Sequence, residues 1–259
     1  MALLQRFALL IDLALALQIA LLPTVKRIIH EPSLLFHPTA LSRIFMAHVW
    51  TFFGPGIDEN CTEVKKRLIT PHAFGVVLDV GAGHGHTVKY LDRAKVTKYV
   101  ALEPNIDMHP EIRRAAHAGG YNEVDGTFAI ISCGAEDSTF IMTSLGGYQP
   151  VDTIVSVLTL CSVPRPQETI KSLATDVLKP RGELLFFEHV RNPLPHIERW
   201  QRFWSIIWSR VFDGCRLDRP THIWIQEVRG WAKEEVWGLD DESEEHLFLH
   251  RSGRFVKGM

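Results

Sequence analysis

The sequence has 259 residues and a net charge of −2, a length that suits one large α/β core with an appendage. It contains no basic run with interleaved aromatic residues, so we expect no nucleic-acid partner. His84 and His86 share one tight turn, which is too little for a metal site. The cysteines are scattered without a Cys-x-x-Cys pair, and this predicts a reducing compartment, no disulfide framework and no zinc site: Cys61, Cys133, Cys161 and Cys215.

Residues 2–22 are strongly apolar, and only four polar residues interrupt them: Gln5, Arg6, Asp12 and Gln18. As a helix this stretch would be about 30 Å long, the thickness of a hydrocarbon core. We expect residues 1–27 to form a helix in the membrane interface, with Lys26 and Arg27 at the headgroups. The alternatives are a helix packed on the protein's own core or on a partner and, with less support, a cleaved signal.

Residues 28–73 are punctuated by prolines and contain two helical patterns, Thr39–Phe52 and Glu59–Ile69. We expect these residues to form a helical cover ahead of a sheet. Trp50, Phe52 and Phe53 would then either cover a pocket or belong to the core.

The stretch from Val76 to Glu103 has the order strand, glycine-rich turn, helix, strand. The apolar start predicts a strand buried on both faces, and a helix is predicted from about His84 to Arg93. Glycines at positions 81, 83 and 85 permit positive φ and close approach to a ligand. Glu103, at the end of the second strand, is placed to accept both hydroxyls of a ribose. Together these features predict the first half of a nucleotide-binding α/β sheet.

The spacing of the glycines distinguishes between cofactors. A dinucleotide fingerprint requires glycine or alanine at position 86, where this chain has His86, and this disfavours a nicotinamide-dependent reductase. The pattern Asp-x-Gly-x-Gly-x-Gly over residues 79–85 instead resembles the first motif of class I methyltransferases, which bind S-adenosylmethionine. The resemblance implies cofactor contacts from Asp79, Gly81, Ala82, Gly83, Gly85, Glu103, Pro104 and Asn105.

A third strand is predicted over Thr127–Ser132, and it leads to the sequence Cys133-Gly-Ala-Glu-Asp137. In class I methyltransferases this position carries a small residue and an acid that bind adenine. The resemblance therefore implies cofactor contacts from Ala135 and from Glu136 or Asp137. The alternative is an ordinary helix N-cap with acids at the positive end of the helix dipole.

The fourth and fifth strands are predicted over Val151–Val157 and Glu183–Glu188, with a helix from about Gln167 to Leu178 between them. Because ligands bind outside the carboxyl ends of such strands, near the switch point of the sheet, we expect one crevice there. It would bring together Gly81, Glu103, Leu160, Glu188 and His189, of which Leu160 would contact the cofactor.

A long helix with an aromatic stripe is predicted over Pro193–Phe212, within a lid insertion at about 193–221. Trp200 and Trp204 would either line the acceptor pocket or pack in the core. The last segments predict an antiparallel edge of the sheet: His222–Val228, Lys233–Leu239 and His246–Val256. The whole is a doubly wound, mostly parallel class I methyltransferase fold over residues 74–259, preceded by N-terminal helices.

A narrower resemblance comes from the segments 151–163, 178–190 and 213–217 and from Trp200-Gln201. They are similar to landmarks of the membrane-associated alkyl-thiol methyltransferases, the methyltransferase-like 7 family, over residues 75–228. The resemblance implies a thiol acceptor and an anchor on endoplasmic reticulum or lipid-droplet surfaces; a cytoplasmic protein is the alternative. The chain departs from the family pattern at residues 219–222 and in the acidic tail, 240–245, and both regions shape the acceptor pocket.

Methyl transfer from a sulfonium depends on orientation and exclusion of water, and it requires no metal or enzyme nucleophile. His189 is the first candidate for the base and Asp213 the second, while Glu188 would orient His189. Cys161 and Cys215 would line the pocket. We expect S-adenosylmethionine-dependent methylation of a small hydrophobic acceptor, a thiol before a hydroxyl. The alternatives are an O- or N-methyltransferase of secondary metabolism and a non-catalytic S-adenosylmethionine-binding protein. No oligomeric state follows from the sequence.

Overall fold

The computed structural model describes residues 2–259, with side chains from residue 9 onward. Its centre is a seven-stranded sheet in the order β3-β2-β1-β4-β5-β7-β6. The strands are Gly75–Val80 (β1), Val96–Leu102 (β2), Phe128–Ile131 (β3), Val151–Val157 (β4), Leu178–His189 (β5), Trp231–Trp237 (β6) and His250–Lys257 (β7). Strands β1 to β5 are parallel, and β7 runs antiparallel to both β5 and β6. The predicted doubly wound sheet with an antiparallel edge is confirmed.

Helices cover both faces of the sheet. Because the central strands are buried on both sides, their sequences are continuous apolar runs. They are Ala2–His30 (α1), Pro38–Asn60 (α2), Thr62–Ile69 (α3), His109–Ala118 (α4), Ser138–Ser144 (α5), Pro166–Ser172 (α6), Pro195–Val211 (α7) and Thr221–Gln226 (α8). The strand order reverses between β1 and β4, so a crevice opens outside their carboxyl ends.

Two predicted elements are wrong. The helix expected from about His84 to Arg93 is a single 3₁₀ turn, His86–Tyr90, and the chain is already extended at Leu91. Polar contacts hold this turn, because Thr87 donates a hydrogen bond to the Asp79 carboxylate and Tyr90 donates one to Asp58.

The strand expected over His222–Val228 is instead helix α8. Thr221 and Ile225, four residues apart, are both fully buried, so a helical turn places both on the core side. The final strand also begins later than expected, at His250, because residues 246–249 belong to the preceding loop.

Helix α1 packs along one face on the rest of the protein. Leu9, Ala16 and Ala20 are buried against a cluster from α2 and α7 that includes Trp204 and Trp208. Large apolar residues of α1 remain exposed on its other faces: Leu10, Ile11, Leu21, Leu22, Val25 and Ile29. Among the described helices, α1 alone is long and apolar enough, over Leu9–His30, to cross a membrane by length and composition.

Candidate cofactor and acceptor site

A cavity of about 610 Å³ lies at the switch point of the sheet. Its walls come from the loops after β1, β2, β3 and β4, from α2, and from the end of α7. Seven of the residues predicted from the sequence line it: Gly81, Gly83, Glu103, Pro104, Ala135, Glu136 and Asp213. Trp50 is also part of this wall, which agrees with the first of the two alternatives given for it, covering a pocket rather than packing in the core.

Gly81 and Gly83 lack side chains, so the side chains of Thr159 and Trp50 can lie against the glycine-rich loop. Gly81 and Gly83 have φ of +65° and +56°, which disfavour other residues. A Cβ on Gly83 would come within 2.8 Å of Trp50 Nε1, and one on Gly81 within 2.3 Å of Thr159 Cγ2. Trp50 Nε1 is buried with no acceptor among the described residues, so a bound ligand is able to satisfy it.

Glu103 is buried at the end of β2, where its two carboxylate oxygens face different backbone donors. Oε2 accepts from the Gly83 amide and Oε1 from the Asn105 amide, both at 2.9 Å. Burial raises the pKa of Glu103 to about 7, against the lowering effect of those two amides. Each oxygen keeps a further lone pair, which is the requirement for binding the two hydroxyls of a ribose.

The two acids that follow β3, Glu136 and Asp137, have different surroundings. Asp137 is the N-cap of α5, because its carboxylate accepts from the Phe140 amide at 3.0 Å. Glu136 lies in the cavity wall beside Ala135, and its buried Oε2 has no partner among the described residues. A carboxylate oxygen in this state suits the exocyclic amine of adenine.

Five predicted cofactor residues lie behind the cavity wall. Asp79 is buried under the loop, where it accepts from Tyr99 Oη at 2.8 Å, and burial raises the pKa of Asp79 to about 6. Asp79 and Ala82 line a small adjoining cavity of about 30 Å³. The predicted cofactor residues that do not line the main cavity are Asp79, Ala82, Gly85, Asn105 and Leu160.

The opposite part of the cavity carries an ion pair that was not predicted. Arg43, on α2, lies with Nε 3.7 Å from Asp213 Oδ1. Ser42 fixes the backbone there, since its Oγ accepts from the Asp213 amide and donates to the Val211 carbonyl. An arginine on a helix ordinarily indicates a solvated face, so the sequence carries no signal for Arg43 in a site.

Comparisons with known proteins agree with this fold. The family model described as a methyltransferase domain matches residues 55–243. The chain belongs to this methyltransferase family. Among solved structures, an O-methyltransferase family protein from Burkholderia thailandensis has the same fold, with a TM-score of 0.58 at 13% identity, covering 85% of this chain and 59% of that one.

The methyltransferase is also similar to curated relatives over part of their length. It is 40% identical over 88 residues to the thiol S-methyltransferase TMT1B of Rattus norvegicus, which is 34% of this chain and 36% of that protein. It is 23% identical over 186 residues to the mitochondrial methyltransferase OMS1 of Saccharomyces cerevisiae, 61% of this chain and 38% of that protein. The matched segments thus span little more than a third of these relatives.

The cofactor of the methyltransferase is S-adenosylmethionine, and the cavity has groups that fit each of its parts. We propose that Glu103 binds the ribose, Glu136 and Ala135 the adenine, and the glycine-rich loop the amino-acid end. The orphaned atoms Trp50 Nε1 and Glu136 Oε2 are the polar groups that a bound cofactor would satisfy.

Glu188, predicted as a pocket residue, is fully buried and supports the loop after β4. It accepts from Ser156 Oγ at 2.7 Å, from the Thr159 amide at 3.0 Å and from the Leu160 amide at 3.2 Å. Burial, and then the neighbouring Cys161, raise the pKa of Glu188 to about 7. Glu188 is therefore a positioning residue for Thr159, which lines the cavity.

His189, the first candidate for the base, does not reach the cavity in this structure. It is 5% exposed and lies behind the wall, with Nε2 3.5 Å from Cys215 Sγ. Cys161 is 1% exposed beside it. Of the two predicted catalytic residues, only Asp213 lines the cavity.

The aromatic stripe of α7 also faces away from the cavity. Trp204 packs in the cluster that receives α1, and Trp200 borders a separate surface groove with Phe203. Packing was one of the two interpretations of this stripe, and the structure agrees with it. Phe212, just after α7, is the aromatic residue of this region that lines the cavity.

Proposed function

We propose that this methyltransferase transfers the methyl group of S-adenosylmethionine to small hydrophobic thiols. The observation that carries the proposal is the continuity of one cavity from Glu103 and Glu136, at the cofactor end, to Arg43 and Asp213. When bound, S-adenosylmethionine supplies an electrophilic methyl group. The partial similarity to thiol S-methyltransferases supports a sulfur acceptor.

The far end of the cavity suits a small apolar molecule. Met46, Val163 and Phe212 line the cavity together with the Arg43–Asp213 pair and Arg210. Apolar walls exclude water from the reacting atoms, and orientation within them supplies much of the rate of such a displacement.

Asp213 is the proposed base for the acceptor proton. Burial raises the pKa of Asp213, which strengthens the carboxylate as a base, while Arg43 opposes that rise. A thiol has an ordinary pKa near 8.5, so a carboxylate gives the modest assistance that a thiol needs. A hydroxyl is a far weaker acid and would require a stronger base than this site offers.

The test is methyl transfer from labelled S-adenosylmethionine to a matched pair, an alkyl thiol and the alcohol of the same chain, with products identified by mass. We expect the thioether alone. Formation of the ether would support an O-methyltransferase instead. Tight cofactor binding with no product from thiols, alcohols or amines would support a non-catalytic S-adenosylmethionine-binding protein.

We further propose that α1 seats the protein on a membrane surface, in agreement with the resemblance to enzymes of endoplasmic reticulum and lipid-droplet surfaces. One face of α1 is held by the protein, so its exposed apolar residues are free to enter the acyl boundary. Leu35 and Phe36, just beyond α1, are 60% and 83% exposed and extend this apolar surface. Lys26 and Arg27, in the last turns of α1, are suited to headgroup contact.

A further inference from the structure

Two thiols and one imidazole meet beneath the far end of the cavity. Cys161 lies in the loop after β4, His189 is the last residue of β5, and Cys215 lies in the loop after α7. One donor atom from each lies within 4.8 Å of the other two. The sequence predicted these three residues around one pocket but predicted no metal site, since 28 residues separate Cys161 from His189 and 26 separate His189 from Cys215.

The cluster is held in place by the fold. Cys161 and His189 are 1% and 5% exposed, and Cys215 is partly buried. The Arg216 amide donates to the Cys161 carbonyl at 3.1 Å, which ties the two cysteine-bearing loops together. The Arg219 guanidinium donates to the carbonyls of Leu160 and Val163 at 3.2 and 2.7 Å, a second tie between the same loops.

The donor set and its spacing suit a soft divalent ion. Two cysteines and a histidine are a common ligand set of zinc. Zinc bonds of about 2.3 Å to sulfur and 2.05 Å to nitrogen, at tetrahedral angles, place the two ligand atoms about 3.6 Å apart. Cys215 Sγ and His189 Nε2 are 3.5 Å apart.

The charge balance of the donor set also suits zinc. Metal ligation requires deprotonated cysteine and neutral histidine. Two thiolates and one zinc ion are together neutral, so such a site carries no net charge into the interior.

We propose that Cys161, His189 and Cys215 bind one zinc ion that clamps the loop after β4 to the loop after α7. Ser162 and Gly214, the neighbours of the two cysteines, line the cavity, so the clamp fixes its acceptor end. Ser162 Oγ lies 3.5 Å from Cys161 Sγ, and this hydroxyl or a water is the fourth ligand. Each cysteine gives its proton to solvent as its bond to zinc forms, and no atom changes oxidation state.

The experiment uses the full chain, purified in detergent from cells grown with zinc. Metal content is measured by inductively coupled plasma mass spectrometry after gel filtration. We expect about one zinc per chain, and less than a fifth of that in Cys215→Ser and Cys161→Ser. Cys133→Ser, a partly buried cysteine outside the cluster, is the matched control and should keep the metal.

A second measurement does not depend on how the variants fold. Co²⁺ titrated into the zinc-stripped wild-type chain should give sulfur-to-metal charge-transfer absorption that saturates at one equivalent. A wild-type chain with no zinc and no such absorption would overturn the proposal. So would a Cys161–Cys215 disulfide as the state of the freshly purified chain under non-reducing mass analysis. Neither readout involves methyl transfer, so the outcome is independent of the proposed function.

Discussion

Arg43 and Asp213 form an ion pair in the wall of the cavity, with Nε and Oδ1 3.7 Å apart. The two residues lie 170 positions apart, on α2 and just after α7, and Ser42 joins the same two segments by hydrogen bonds. The helical cover ahead of the sheet therefore forms part of the cavity wall, through Arg43 and Trp50.

The first prediction concerns the proposed base. Asp213→Asn should lower kcat for thiol methylation about 10- to 100-fold, because a positioned base contributes at least that much. Cofactor affinity should change little, since Glu103 and Glu136 hold the other end of the cavity. Initial rates and calorimetric titration of the same variant measure the two effects.

The pH dependence of activity is a second test of Asp213 as the base. A base must be ionised to act, so wild-type activity should rise with pH as Asp213 loses its proton, and burial places that rise above the ordinary aspartate range. Asp125→Asn, on an exposed turn outside the cavity wall, is the control and should behave as wild type. If Asp213→Asn keeps full activity and the same pH profile, Asp213 is not the base.

The second prediction concerns the ribose contact. Glu103→Ala should weaken S-adenosylmethionine binding about 10- to 100-fold, equivalent to roughly 1.5–3 kcal/mol, because it removes charge-assisted hydrogen bonds. Wild-type affinity should itself rise with pH through about 7, since the ionised carboxylate is the acceptor and burial raises its pKa to about 7.

The variant Glu103→Gln removes the charge of this side chain while keeping its size. Glutamine keeps one acceptor oxygen but does not titrate. This variant should therefore bind S-adenosylmethionine weakly, and its affinity should not change between pH 6 and pH 8. That window extends about one unit on each side of the pKa of Glu103. Calorimetry at several pH values measures this. Wild-type affinity that stays constant across the window would contradict the assignment of Glu103.

The third prediction concerns the glycine-rich loop. Gly83→Ala should weaken cofactor binding at least tenfold, because the new Cβ would lie 2.8 Å from Trp50 Nε1 at a positive φ. The matched control is Gly56→Ala in α2, where a Cβ meets no atom within 4 Å. That control should keep cofactor affinity and gain about 0.5–1 kcal/mol in free energy of unfolding. Equal affinities of the two variants would show that the loop does not need glycine at position 83.

The fourth prediction concerns α1. Replacing Leu21, Leu22 and Ile29 with serine should release the protein from vesicles in a sedimentation assay, because these exposed side chains would supply apolar contact with lipid. The fold should persist, since the buried face of α1 is unchanged.

The matched control for this assay replaces Val124, Phe140 and Tyr148 with serine. These residues are also exposed and apolar but belong to other segments of the chain. The control should sediment with vesicles as wild type does. A wild-type chain that stays in the supernatant would contradict the membrane proposal.

The sequence by itself determined the sheet and the cofactor end of the cavity. The apolar runs of the strands, the spacing of the glycines and the position of Glu103 are all features of residues close together in the chain. Parallel strands then align their carboxyl ends at one edge of the sheet. Local hydrogen bonds, such as those from the amides of Gly83 and Asn105 to Glu103, follow from that arrangement.

Only the tertiary structure decided which residues form the far end of the cavity. Arg43 meets Asp213, and Cys161 meets His189 and Cys215, through loops whose paths no local pattern specifies. The same holds for α8, where burial of Thr221 and Ile225 outweighs an apolar pattern that predicted a strand. Side chains distant in sequence become neighbours only when helices pack, and the free energy of that packing belongs to the whole core rather than to any one segment.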